Sequence, residues 1–179
     1  MNYPQLYAIV TPARTYSSLV AGLMHKNGIS MSLGFPMNEA GYGNPHGFFE
    51  SYWYISINES ILGEVGASTY DQALPPVEAV EKLIDTEAHG TVYHTLRKME
   101  LTAFSMDLDA WGIKDNRICW LTPLWRMPLL VHEARLITID RPEDAVQESV
   151  LDADVPAARL IGQPANLSDE SVFLMVVHA

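Results

Sequence analysis

The sequence predicts an α/β fold in which a central, mainly parallel sheet of three or four strands is flanked by helices. Three observations lead there. Leu6-Tyr7-Ala8-Ile9-Val10 is a short, continuous apolar run, the mark of a strand buried on both faces. A polar loop and then a helical stretch follow it, which is the first half of a βαβ unit. The same alternation of apolar runs and helical stretches continues along the chain. At 179 residues and 19.9 kDa the chain fits one domain with one core, spanning 1–179.

The elements follow in order. Thr11 to Ser18 ends the first strand with small and polar residues, Leu19, Leu23 and Met24 recur at helical spacing, and Asn27-Gly28 stops that helix. Gly41 to Gly47 is a loop rich in turn formers. From Phe48 to Leu62 the pattern is helical, with Trp53, Ile57 and Ile61 on one face. Pro75-Pro76 reads as a helix start, with Val77, Val80 and Ile84 as the stripe behind it. Another helix is expected from about Thr91 to Phe104, set off by Gly90. Trp111-Gly112-Ile113 is a short strand followed by the polar turn Lys114 to Arg117, and Ile118 to Val131 is a buried helix broken near a proline. Arg135 to Ile139 is the clearest later strand. It runs into Asp140-Arg141-Pro142 and a helix from Glu143 to Leu151, with Pro142 in its first turn. Pro156 to Asp169 reads as loop and Val172 to Val177 as a last strand.

Composition excludes several function classes. Apolar residues make up 48% and charged residues 18%, so the chain can bury a core and is not disordered by composition. A formal charge of −11, from 22 acidic against 11 basic residues, argues against a nonspecific nucleic-acid binder. It still leaves cations to converge on one anionic ligand. The single Cys119 rules out an intramolecular disulfide, and no Cys/His spacing resembles a zinc site. No stretch is long and apolar enough for a membrane anchor, and Met1 to Gln5 lacks the basic start of a signal peptide. A soluble, cytoplasmic protein is the expectation.

Three polar loops each follow a predicted strand, and in parallel α/β sheets such loops share one edge, where ligands sit. They supply Arg14, Lys114 or Arg117, and Arg141. These cations either gather on an anionic ligand or each pair with one of the many carboxylates. In the first loop, the helix N-terminus offers unpaired amides and partial positive charge to a phosphate or sulfate. Arg14 would add a permanent forked cation, and Thr15, Ser17 and Ser18 further donors. Spacing alone favours the plainer reading, in which Ser17 or Ser18 merely caps the helix. A Walker A motif, GxxxxGK[ST], is absent.

Four segments, in order, resemble the P-loop-fold sulfotransferases, whose short bacterial and phage members open with a strand, a PRSGTS-type loop and a helix. Tyr7 to Gly28 (YAIVTPARTYSSLVAGLMHKNG) is similar to that opening. Asn44 to Glu50 (NPHGFFE) is similar to N-P-x-G-[YF]-[FW]-E, and Asn58-Glu59 fits the helix behind it. Trp111 to Arg117 (WGIKDNR) is similar to W-G-x-K-D-P-R, and Arg135 to Ser149 (RLITIDRPEDAVQES) to a strand ending in Arg with Ser eight residues on. Together they cover most of residues 6 to 151. The chain departs from the family pattern at Tyr16, where the loop has Gly, at Ala13, where it has Pro, and at Asn116, also Pro. The late Gly-rich donor-binding segment is missing.

The resemblance implies a three-layer P-loop-like fold and transfer of a sulfuryl group from 3'-phosphoadenosine 5'-phosphosulfate to a hydroxyl or amine, with no metal. The acceptor, whether small molecule, glycan or peptide, is not written in the sequence. Arg14 falls on the family cation that neutralises the leaving phosphate. Thr15, Tyr16, Ser17 and Ser18 fall on the loop that holds the 5' phosphosulfate, and Lys114 on an active-site cation. Arg141 and Ser149 fall on the pair that binds the 3' phosphate. Glu50 and His46, in the turn placed over the donor, are the candidates for the base. The residues leave plainer roles open: Glu50 as a first-turn acid favoured by the helix dipole, His46 as an exposed loop histidine. Trp120, Trp125, Tyr52 and Trp53 read as core rather than as a stacking platform. Two rivals remain: a catalytically impaired relative that only binds, and a small P-loop nucleotide kinase, which the missing Walker lysine counts against.

Overall fold

Parallel pairing sets the architecture. The computed structural model describes residues 3–41, 44–69, 75–142 and 144–145, and the backbone of 174–178. Strand β1 (Gln5–Ile9) lies between β2 (Ala110–Lys114) and β3 (Arg135–Asp140), and β4 (Leu174–His178) extends the sheet beyond β3. The order is β2-β1-β3-β4, and every pair is parallel. Register places Ile9 opposite Lys114 on one side and Ile137 on the other, so the strands deliver their carboxyl ends to one edge. The α/β fold with a parallel sheet is as expected, and β1 and β3 fall where their apolar runs lie.

Alternation along β1 divides the core in two. Leu6 and Ala8, with Trp111, Ile113 and Leu136, face helices α2 (Tyr52–Glu64), α4 (Glu87–Ser105) and α5 (Thr122–Val131). Ile9, with Ile137 and Ile139, faces Ala21 of helix α1 (Ser17–Lys26) and Met31. Helices therefore cover both faces of the sheet.

Several boundaries differ from expectation for local reasons. Helix α2 starts at Tyr52, not Phe48, because Gly47 and Phe49 hold positive φ (91° and 57°) and Ser51 then caps the helix by accepting from the Trp53 amide. Helix α3 (Val77–Lys82) is a turn and a half long and passes into a 3-10 turn at Leu83–Asp85. That change of pitch moves the stripe: Val80 and Leu83 are buried, while Val77 and Ile84 are exposed. Thr86 caps α4 through the Ala88 amide, so Gly90 lies inside the helix instead of setting it off. Lys114 belongs to β2, not to the turn after it. The stretch 118–131 divides into a 3-10 turn (Asn116–Cys119) and α5, which has Pro123 in its first turn and continues through the buried Pro128. The expected Glu143–Leu151 helix, with Ser149, and the Pro156–Asp169 loop lie outside the described residues, apart from 144–145.

Candidate functional site

The β1–α1 loop is bent by two non-glycine residues in the left-handed region, Arg14 (φ 65°) and Tyr16 (φ 63°). A side chain there costs roughly 1–2 kcal/mol at each position, so neighbouring contacts must hold the loop. The buried Thr11 and Thr15 supply some of them. Their hydroxyls lie 2.8 Å apart, Thr15 donates to the Pro12 carbonyl at 2.8 Å, and Thr11 reaches the Ile139 carbonyl at 3.3 Å. From β3's end, Arg141 Nη1 donates to the Arg14 carbonyl at 2.6 Å, and its guanidinium sits 4.2 Å from the centre of the Tyr16 ring. Tyr16 itself is half exposed.

Ser17 and Ser18 do not cap α1. Tyr16 occupies the N-cap position, and its side chain makes no capping hydrogen bond. The first bond of the ladder runs from the Val20 amide to the Tyr16 carbonyl at 3.1 Å, so the amides of Ser17, Ser18 and Leu19 precede any intrahelical acceptor. Phe49 packs onto α1 at Gly22, where a β-carbon would come within 2.8 Å of the ring's Cε2. That contact keeps the 47–50 segment against the helix bearing these amides.

The ammonium of Lys114 ties three segments together. It is buried and pairs with the buried Glu50, donates to the Phe48 carbonyl at 3.2 Å, and lies 3.4 Å from Ser18 Oγ in the first turn of α1. Two ions taken out of water need partners of this kind. Beside it the wholly buried Asp115 accepts from Asn58 Nδ2 at 3.0 Å, from the Arg117 amide at 3.0 Å and from Arg117 Nη1 at 2.8 Å. Asn58 Oδ1 in turn accepts from Trp125 Nε1 at 2.9 Å. Arg117 also reaches Glu59 at 2.5 Å and Thr69 at 2.7 Å. Burial works against the Arg117 charge, but the Asp115 and Glu59 carboxylates more than offset it and hold the guanidinium protonated more firmly than usual.

The structure thus brings Arg14, Thr15, Tyr16, Ser17, Ser18, Lys114, Glu50 and Arg141 to one sheet edge. It does not bring Arg117 there as a ligand cation, because Arg117 is spent on Asp115 and Glu59. His46 is exposed, in a turn where its amide donates to Asn44 Oδ1 at 3.3 Å. Trp125 is core and Trp53 and Trp120 pack partly against it, whereas Tyr52 is exposed, its hydroxyl 3.4 Å from Asn38 Oδ1. The sequence gives no role to Thr11 or to the Trp125–Asn58–Asp115 chain. A polar residue at an inward position of an apolar helix face, as Asn58 is, was the available signal. On the α5 side of the sheet, a small cleft is lined mainly by apolar side chains, among them Val10, Trp125, Leu129 and Leu136.

No protein-family model, curated protein or solved structure matches the chain. Among the described residues, no helix is long and apolar enough to cross a membrane.

Proposed function

We propose that this protein is a sulfotransferase-like member of the P-loop fold, which binds 3'-phosphoadenosine 5'-phosphosulfate at the carboxyl edge of its sheet and transfers the sulfuryl group to a hydroxyl or amine. The observation that carries the reading is the convergence on the start of α1: Arg141, just past β3, meets the β1–α1 loop, and Lys114 from β2 meets Ser18. Arg14, Arg141 and the first-turn amides, gathered in a chain of net charge −11, suit a polyanionic ligand, while Lys114, whose charge Glu50 balances, holds Ser18 in place.

The residues divide the work as follows. The 15–18 loop and Arg14 hold the phosphosulfate end, Arg141 pairs with the second phosphate, and Ser149 is assigned beside it by resemblance alone. Transfer exchanges one sulfur–oxygen bond for a bond from sulfur to the acceptor, whose proton must leave. Because such a transition state is loose, the protein contributes chiefly position and charge. Glu50 accepts from Lys114 in a buried pair and so fixes that cation. His46, exposed in the turn before it, is then the remaining candidate to take the proton.

A second reading, binding without transfer, is favoured by the half-exposed Tyr16 ring lying against Arg141, a cation of the proposed anion site. Titration calorimetry with 3'-phosphoadenosine 5'-phosphate and with ATP–Mg²⁺ tests the proposal. Binding of the first in preference to the second supports it. Preference for ATP–Mg²⁺ points to a kinase, and binding without turnover of the sulfated donor on any of a panel of hydroxyl and amine acceptors points to the second reading.

A further inference from the structure

Both left-handed residues of the β1–α1 loop are touched by a single side chain, from the residue that follows β3. Arg141 Nη1 donates to the Arg14 carbonyl at 2.6 Å, and the Arg141 guanidinium lies 4.2 Å from the centre of the Tyr16 ring. The two contacts use different parts of the guanidinium. Stacking engages its face, whereas hydrogen bonding engages its edge, which carries five N–H donors. A stacked arginine therefore stays able to take an anion at its edge while its long side chain is already ordered.

We infer that Tyr16 is a positioning residue that sets the affinity and selectivity of the loop for a phosphate or sulfate group, its ring serving as the platform that holds Arg141 across the loop. This rests on the anion-binding reading of the same edge. It also accounts for a bulky residue at a backbone position where glycine would be unstrained: the ring supplies a contact that glycine cannot. The stack uses the ring and not the hydroxyl, so phenylalanine should replace it and leucine, of similar bulk but without the ring's electrostatics, should not.

The test is titration calorimetry with 3'-phosphoadenosine 5'-phosphate on the full chain. Tyr16→Phe is expected to bind within about twofold of the native protein, and Tyr16→Leu about three- to tenfold more weakly. In an Arg141→Gln background, Tyr16→Leu should cause no further loss, a coupling that a merely structural role would not produce. Undiminished or tighter binding by Tyr16→Leu overturns the inference, and so does an equal loss in the Arg141→Gln background. If the native protein has no affinity for the nucleotide, the anion-site reading itself fails and Tyr16's role with it. If only the leucine variant departs from expectation, the inference about Tyr16 alone fails.

Discussion

Replacing Lys114 by methionine removes the ammonium that, among the described residues, pairs with the buried Glu50 carboxylate. The Lys114 side chain is 1% exposed and that of Glu50 6%, so water cannot replace the lost ammonium. Breaking such a pair by deleting one ion costs about 3–5 kcal/mol, because the remaining charge is left uncompensated. The Phe48 carbonyl and Ser18 Oγ lose a donor in the same step. Domains of this size are stable by only about 5–15 kcal/mol, so the loss is a large fraction of the total. With a urea slope of about 2 kcal/mol/M, the midpoint should fall by about 1.5–2.5 M. Urea unfolding followed by tryptophan fluorescence measures it, since Trp111 lies buried in the same strand as Lys114. Glu50→Leu should cost a similar amount. The double variant Lys114→Met/Glu50→Leu should recover most of the loss, because a buried ion pair and an apolar pair of similar volume are close in energy. A single variant within about 1 kcal/mol of native, or a double variant as unstable as both singles added together, would refute the pairing.

The remaining predictions concern the loop and the core. Tyr16→Ala keeps the left-handed strain and loses the stack, and should be less stable by about 0.5–1 kcal/mol; Tyr16→Gly relieves the strain at the cost of chain entropy and should stay within about 0.5 kcal/mol of native. Denaturation of both variants checks the order, and a glycine variant less stable than the alanine one would contradict the backbone assignment. Arg141→Ala should weaken 3'-phosphoadenosine 5'-phosphate about tenfold or more, from a charge-assisted contact of roughly 1.5–3 kcal/mol, yet weaken adenosine 5'-phosphosulfate far less. Equal losses in a competition assay would show that Arg141 does not read the second phosphate. Burial, with the Asp115 charge behind it, pushes the Cys119 thiol up, so at pH 8 the native protein should resist iodoacetamide and the urea-unfolded protein should react. Rapid modification of the native chain would show that Cys119 is exposed.

What the sequence made legible follows the range of the forces involved. Apolar runs such as Leu6 to Val10 and Arg135 to Ile139 announce strands because a parallel sheet buries them on both faces. The cations Arg14, Lys114 and Arg141 were placed at one edge by topology alone, since parallel strands carry their following loops to the same side. Pairing partners were not legible. Nothing local tells Lys114 that Glu50, 64 positions earlier, will be its counter-ion, or sends Arg117 to Glu59. Helix starts were misplaced where a cap outweighed periodicity: Ser51 and Thr86 fix α2 and α4 by side-chain bonds to amides two residues on. The left-handed turns at Arg14 and Tyr16 are not legible because neither is a residue type that favours them, and what holds them comes partly from Arg141, 127 positions away from Arg14.

A crystal structure of the protein with 3'-phosphoadenosine 5'-phosphate measures most directly whether this sheet edge is an anion site. The 5' phosphate should lie within hydrogen-bond distance of the amides of residues 15–18, with the Arg141 guanidinium on the second phosphate and still stacked on Tyr16. A nucleotide bound elsewhere, or an intact complex with the 15–18 amides untouched, would contradict the assignment.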